Sequence, residues 1–233
     1  ELQAFLPEKG RFERLKKEGE ELLNRYPKKE ERPPLFGVLV GIKDIFRVDG
    51  FPTKAGARLP HSLFAGGEAF AVKRLKEAGA LILGKTVTTE FAYFAPGPTR
   101  NPVNFAHTPG GSSSGSAAAV SAGLCPLALG TQTIGSIIRP AAFCGIFGFK
   151  PSYERIAREG LVDFSPSMDH IGIFTQDLQG IELAARLLCS SWQPALNDLR
   201  PTRLPVLGVP EGPYLEQASA EGLKSFEEQV KNL

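Results

Sequence analysis

Apolar residues along the chain recur either at helical spacing or as short continuous runs of strand length. Helical spacing is found at residues 12–26, 68–78, 112–123, 179–189 and 218–230. Strand-length runs occupy residues 35–42, 80–83, 126–129 and 204–209. A strand, a helix and a second strand follow one another between residues 35 and 83, which predicts a βαβ-type unit. We therefore expect an α/β fold, with a sheet covered by helices.

A charged, proline-bearing stretch at residues 27–34 separates the first predicted helix from the rest of the pattern. We therefore expect an N-terminal helical segment over residues 1–32, followed by a core domain over residues 33–233. The chain has 233 residues, which is enough for a packed core. Its 42% hydrophobic and 22% charged residues are ordinary for a globular protein.

The charge distribution and the lack of long apolar segments exclude several classes of protein. The net charge is +2 and the two signs are mixed, so neither a nucleic-acid-binding stripe nor an acidic tail is indicated. The most apolar stretch, residues 117–129, is too short to cross a bilayer and contains Gly123 and Pro126. No secretory signal is recognisable, so we expect a cytoplasmic protein without a membrane partner. The three cysteines form no close pair, which argues against a disulfide scaffold or a zinc site.

Two segments rich in glycine and hydroxyl residues, 108–116 and 130–145, carry the candidate chemistry. Glycine allows several backbone N–H groups to point toward one place, so the loop that ends at Ser136 can hold a developing oxyanion. A serine nucleophile needs a base. The three histidines, His61, His107 and His170, lie in no recognisable base motif. The base must therefore be sought among other residue types.

Lys43 is the remaining candidate for the base, because it ends an apolar run of strand length. Loss of hydration at such a position disfavours the ammonium and lowers the pKa of the lysine. The adjacent Asp44 points to the opposite face of a strand and need not pair with Lys43.

Several other interpretations of these residues stay open. Residues 110–116 could form a flexible linker or a phosphate cradle, although the alanines that follow favour a packed helix and the GK[ST] ending of a P-loop is missing. Ser113 is central in a G-x-S-x-G pattern, but a poor strand precedes it. Cys144 could be a thiol nucleophile, although its small apolar neighbours favour an inert thiol. Lys43 alone would be an ordinary strand-end lysine, and we interpret Lys85 and Lys150 as structural.

Five segments together resemble the amidase signature family. Residues 110–117 are Gly-Gly-Ser-Ser-Ser-Gly-Ser-Ala, residues 130–136 are Gly-Thr-Gln-Thr-Ile-Gly-Ser, and residues 140–151 are Pro-Ala-Ala-Phe-Cys-Gly-Ile-Phe-Gly-Phe-Lys-Pro. Upstream, residues 37–44 are similar to the strand with the catalytic lysine, and residues 78–85 to a helix–strand junction of the family. The resemblance extends from about residue 33 to residue 172.

The resemblance implies a mixed, twisted sheet covered by helices on both faces and a serine amidase without metal or cofactor. Carried over by motif, Lys43 is the base, Ser112 is a bridging serine that follows a cis peptide bond, and Ser136 is the nucleophile. The implied oxyanion hole consists of the backbone N–H groups of Thr133, Ile134, Gly135 and Ser136. Water then hydrolyses the acyl-enzyme. The expected partner is a small-molecule amide, and a homodimer is compatible with the sequence.

Three residues depart from the common pattern of the family. Gln132 stands where many members have aspartate, Ile134 replaces a glycine, and Arg139 lies one place later than usual. Gln132 with the shifted arginine resembles the malonamidase-type branch, in which that arginine binds a substrate carboxylate. The alternative for Arg139 is a structural ion pair. The missing aspartate argues against the glutaminase subunit of a tRNA amidotransferase, and we expect Ile134 to narrow the oxyanion loop.

Family members are considerably longer than this chain, so we expect an incomplete copy of the fold that lacks its C-terminal part. The leading interpretation is an amidase that acts on a small amide, with a carboxylate on the substrate if Arg139 binds one. One alternative is a non-catalytic amidase-like protein or a subunit of an amidotransferase. Another is a ligand-binding α/β module, in which Lys43 would lie far from Ser112.

Overall fold

The computed structural model of the chain describes residues 1–192, 206–213 and 215–233. It forms two compact units, Glu1–Trp192 and Gln193–Leu233. The strands of the first unit are β1 (Leu39–Lys43), β2 (Leu81–Thr86), β3 (Leu127–Gln132), β4 (Phe147–Phe149) and β5 (His170–Thr175). Its helices are α1 (Arg11–Arg25), α2 (Phe70–Glu77), α3 (Ser114–Ser121), α4 (Ile138–Cys144) and α5 (Leu178–Leu188). The second unit contains α6 (Ala220–Asn232), whose first turn is capped by the Ser219 hydroxyl.

The five strands form one mixed sheet in the order β2-β1-β3-β5-β4. β1 runs parallel to both β2 and β3, whereas β5 runs antiparallel to β3 and β4. Because β1 and β3 are adjacent and parallel, their carboxyl ends, Lys43 and Gln132, lie at the same edge of the sheet. This edge is where ligands bind in open α/β sheets.

Helices cover both faces of the sheet, as the resemblance implied. On one face, α2 and α5 pack over Val40, Ile42 and Leu129. On the other face, α3 and α4 pack over Ala128 and Phe174. Successive strand residues alternate between the two apolar clusters, because side chains along a strand point to opposite faces.

Helix α3 lies unusually close to the end of β2. A Cβ atom on Gly115 would come within 2.2 Å of the Ala4 carbonyl oxygen and 2.4 Å of the Val87 nitrogen, so only glycine fits. The Gly115 N–H donates a hydrogen bond of 2.9 Å to the Val87 carbonyl. These contacts hold the serines at the start of α3 against the carboxyl end of the sheet.

Five predicted helices match α1, α2, α3, α5 and α6 to within a few residues. The strand predicted over residues 204–209 is wrong at residues 206–209, which pair with no strand of the described chain, and residues 204 and 205 lie outside the described residues. Helix α1 packs against β2 within the first unit, and the domain boundary expected at residue 32 stays a prediction. Of the described helices, none is both long and apolar enough to cross a bilayer.

Candidate active site

The centre of the candidate site is Lys43, the last residue of β1, which is 0% exposed. Its Nζ donates a hydrogen bond of 2.7 Å to Ser112 Oγ and another of 2.8 Å to Thr131 Oγ1. Thr131 reaches Lys43 because β3 is the parallel neighbour of β1. The interpretation as a ligand-binding module required Lys43 to lie far from Ser112, and these contacts contradict it.

Burial changes the ionisation of Lys43. Loss of hydration lowers the pKa of Lys43 to about 7, although the negative charge of Asp169 acts in the opposite direction. Above this value the amine is mostly neutral and has a lone pair that can accept a proton. Lys43 can therefore act as a base near neutral pH.

Asp44, the next residue along the chain, pairs with a different lysine. Its Oδ1 lies 2.8 Å from Lys85 Nζ, and both side chains are almost fully buried. Lys85 Nζ also donates to Thr53 Oγ1 at 3.1 Å. This ion pair confirms the prediction that Asp44 need not pair with Lys43, and it agrees with the structural interpretation of Lys85.

Ser112 lies in the loop that precedes α3, and the Gly111–Ser112 peptide bond is cis, as the resemblance implied. The next serine, Ser113, is 0% exposed and donates to the Thr131 carbonyl at 3.1 Å. A buried hydroxyl that is bonded to the backbone of β3 cannot reach a substrate. The G-x-S-x-G interpretation, with Ser113 as nucleophile, is therefore wrong.

Ser136 ends the loop of residues 133–136, between β3 and α4, and is 7% exposed. Within the described residues, no protein atom accepts a hydrogen bond from the backbone N–H groups of this loop. Ile134 is 72% exposed, so its side chain projects into solvent and does not narrow the loop as expected. The hydrogen bonds of the described chain include none between Ser136 and Ser112, so direct proton transfer between these serines stays a prediction.

Gln132 closes the loop on itself. Its side-chain Oε1 accepts hydrogen bonds from the backbone N–H of Ile137 at 2.8 Å and of Ile138 at 3.0 Å. The amide thereby ties the end of β3 to the residues just after Ser136. The sequence analysis used Gln132 only as a mark of a family branch and missed this role. A side-chain acceptor five residues before a predicted loop end was the available signal.

Comparison with known proteins supplies the family. The amidase family model matches residues 11–225. The chain belongs to the amidase family. It is 40% identical over 221 residues to the A-type subunit of glutamyl-tRNA(Gln) amidotransferase from Thermus thermophilus, an alignment that covers 84% of the chain and 46% of that protein.

Solved amidases have the same fold. A crystal structure of an amidase is 39% identical, with a TM-score of 0.70, over 80% of the chain and 44% of that structure's chain. The native peptide amidase of Stenotrophomonas maltophilia is 30% identical, with a TM-score of 0.72, over 87% of the chain and 43% of that structure's chain. The chain thus spans less than half the length of these relatives.

Arg139 of this amidase-family chain contacts the loop that carries Ser112. Its Nε and Nη2 donate to the Gly111 carbonyl oxygen at 3.1 Å and 2.8 Å. In the described chain its guanidinium has no carboxylate partner, so the ion-pair alternative finds no support. Arg139 also lines a cavity of about 300 Å³ together with Tyr93, Phe94 and Phe143.

Histidine and cysteine chemistry is disfavoured at this site. His61 and His107 are exposed, and His170 Nδ1 is bonded to the Met168 carbonyl. Burial raises the pKa of the Cys144 thiol to about 12, so a thiolate nucleophile is not formed near neutral pH. Across the described residues, no group of three or more His, Cys, Asp and Glu side chains could hold a metal ion.

Asp169 is a second residue that the sequence analysis missed. It precedes β5 and is 4% exposed. Its carboxylate accepts a hydrogen bond from the Thr133 hydroxyl, at the start of the loop that ends at Ser136. Only the pairing of β3 with β5 brings these residues together, because they are 36 positions apart in the sequence.

Proposed function

We propose that this chain hydrolyses a carboxamide through an acyl-enzyme on Ser136. The observation that carries the proposal is the contact of a fully buried Lys43 with Ser112, at 2.7 Å. A neutral amine has two N–H groups and one lone pair. With Thr131 accepting from one N–H, the lone pair is available for the Ser112 hydroxyl proton.

The proposed reaction proceeds in two halves. Lys43 takes the proton of Ser112 while Ser112 takes that of Ser136, and the Ser136 oxygen bonds to the amide carbonyl carbon. The C–N bond then breaks, and the proton held by Lys43 returns through Ser112 to the leaving nitrogen. In the second half, water attacks the acyl-enzyme with the same residues as its base, and Ser136 is released.

The oxyanion of the tetrahedral intermediate is proposed to lie against the N–H groups of Thr133, Ile134, Gly135 and Ser136. These donors have no acceptor among the described protein atoms, so they are available without breaking an existing hydrogen bond. Fixed donors of this kind stabilise the transition state more than water does, because they need no reorganisation during the reaction. The two bonds from Ile137 and Ile138 to Gln132 support this role by fixing the loop.

We further propose that the substrate is a small amide with a carboxylate, which Arg139 binds. The Arg139 Nη1 group has no acceptor among the described residues, while Nε and Nη2 hold the Gly111 carbonyl. A cavity of about 300 Å³ lies beside this guanidinium, and its size suits a small molecule. The amides to compare are therefore a monoamide of a short dicarboxylic acid and the neutral amide of the same length.

A fluorophosphonate probe followed by peptide mapping tests the nucleophile. The expected adduct lies on Ser136, with labelling abolished in Ser136→Ala and retained in Ser113→Ala if that variant folds. An adduct on Ser113, no adduct in the folded wild-type chain, or amide turnover unchanged in Ser136→Ala would each reject the proposal.

A second candidate is an A-type subunit of an amidotransferase, which releases ammonia from an amide for another reaction. The 40% identity to the Thermus thermophilus protein over 84% of this chain favours it. The two candidates share Ser136 as nucleophile and differ in substrate. Hydrolysis of glutamine in preference to short carboxylate-bearing amides would favour the amidotransferase, whereas the reverse preference supports the amidase. Gln132 in place of aspartate continues to argue for the amidase.

A further inference from the structure

The carboxylate of Asp169 is held by three hydrogen bonds from two directions. Its Oδ1 accepts from the Thr133 hydroxyl. Its Oδ2 accepts from the backbone N–H of Phe164 at 2.8 Å and of Ser165 at 2.9 Å. The side chain is buried, and no ion pair of the described residues includes it. Asp169 is thus a buried acid without a direct cation partner, bonded to the loop that ends at Ser136.

We propose that Asp169 is a positioning residue of the active site, which fixes the 133–136 loop through Thr133 and supplies the negative charge that stabilises the ammonium of Lys43 during the reaction. This inference rests on the proposed function, because it assigns Lys43 the role of base. In that reaction Lys43 gains a proton in a fully buried position. A buried ammonium is costly unless a negative charge lies within reach of its field.

The other charged groups around Lys43 have partners of their own. On β2, Lys85 is paired with Asp44. Strand β3 and helix α3, which also pack against β1, contain no Asp, Glu, Lys, Arg or His. On β5, His170 is bonded to the Met168 carbonyl, and the Arg139 guanidinium is bonded to the Gly111 carbonyl. Asp169 is the charged group whose field raises the pKa of Lys43 against the effect of burial.

Asp169→Asn removes the charge and can keep the contacts. The asparagine oxygen can accept from the N–H groups of residues 164 and 165, while its NH₂ donates to the Thr133 hydroxyl. Without the negative charge, Lys43 loses its proton at a lower pH. The ascending limb of the pH profile therefore moves to lower pH, by roughly half a unit or more. The plateau rate falls about tenfold, because the ammonium is less stabilised in the transition state.

The rate of fluorophosphonate labelling at Ser136, measured from pH 5 to 9, reports this limb without a known substrate. Asp163→Asn is the matched control, since Asp163 lies nearby in sequence but is exposed and contacts Arg158 at 3.3 Å. We expect no shift in that control. Thr133→Val removes the bond and keeps the charge, so the plateau should fall without a shift of the limb. Thr133→Ser should restore the plateau.

An unshifted limb in a folded Asp169→Asn variant would overturn the inference, as would an equal shift in Asp163→Asn. If Asp169→Asn does not fold, the carboxyl ¹³C signal of Asp169 in the wild-type chain decides. Ionisation of Asp169 throughout the range in which Lys43 titrates supports the inference, and a neutral carboxyl in that range overturns it. Failure of Ser136 to label in the folded wild-type chain is a different result, which rejects the proposed function itself.

Discussion

Two buried lysines end or nearly end adjacent parallel strands, and their surroundings give them opposite chemistry. Lys43 on β1 contacts two hydroxyls, Ser112 and Thr131, and has no carboxylate in direct contact. Lys85 on β2 contacts a carboxylate, Asp44, at 2.8 Å. Burial lowers the pKa of both lysines. The attraction of Asp44 offsets this effect for Lys85, whereas no group in contact with Lys43 does so.

The difference teaches that the direct partner of a buried lysine, rather than its depth, decides whether it is a base or a structural cation. A hydroxyl can accept from an amine and can also give it a proton, so it suits a neutral lysine. A carboxylate favours the ammonium and removes the lone pair that a base needs. Four measurements test this contrast, beginning with the largest expected effect.

Lys43→Met should abolish turnover and Ser136 labelling, with a loss of about 10⁴-fold or more, because Ser112 loses its proton acceptor. Stability should change by less than about 2 kcal/mol, since methionine fills the space and only hydrogen bonds to hydroxyls are lost. Chemical denaturation and labelling kinetics check the two parts. Residual turnover above about one hundredth of the wild-type rate would remove Lys43 from the role of base.

Lys85→Met should destabilise the fold by about 3–5 kcal/mol, because Asp44 remains buried without a compensating charge. The free energy of unfolding from urea denaturation measures this loss. The double variant Asp44→Asn with Lys85→Met is the control, and it should be more stable than Lys85→Met alone. An unchanged free energy of unfolding in Lys85→Met would mean that the pair contributes nothing to the fold.

The pH dependence of labelling separates the two lysines more finely. Lys43 is a base only when neutral and its pKa is lowered to about 7, so the rate should rise with pH through that region. Between pH 6 and pH 8 the expected increase is about tenfold. A flat profile over this range, with the chain folded at both ends, would contradict a lysine base.

Thr131→Val should have the smallest effect, a loss of roughly fivefold to tenfold in the labelling rate. The change removes one hydrogen-bond acceptor from Lys43 and leaves Ser112 in place. Thr131→Ser is the matched control, since it keeps the hydroxyl. A rate in the valine variant equal to that of the wild type would show that Ser112 alone orients the amine.

Local sequence predicted much of the fold, because amphipathic helices leave a pattern within each segment. It did not predict α4, which is short and contains Pro140. It also missed β4, with three residues, and β5, whose apolar run is interrupted by Gly172. These elements depend on partners elsewhere in the chain: β5 is a strand because β3 and β4 supply its hydrogen bonds on both sides.

The sequence by itself determined the family, the candidate base and serines, and the α/β class, since motif spacing and periodicity are carried within short segments. Tertiary structure alone decided which groups surround the base. Thr131 meets Lys43 across 88 positions, Lys85 pairs with Asp44 on the neighbouring strand, and Asp169 meets Thr133 across 36 positions. The physical reason is that hydration, charge and hydrogen bonding are set by neighbours in space, and strand pairing determines those neighbours.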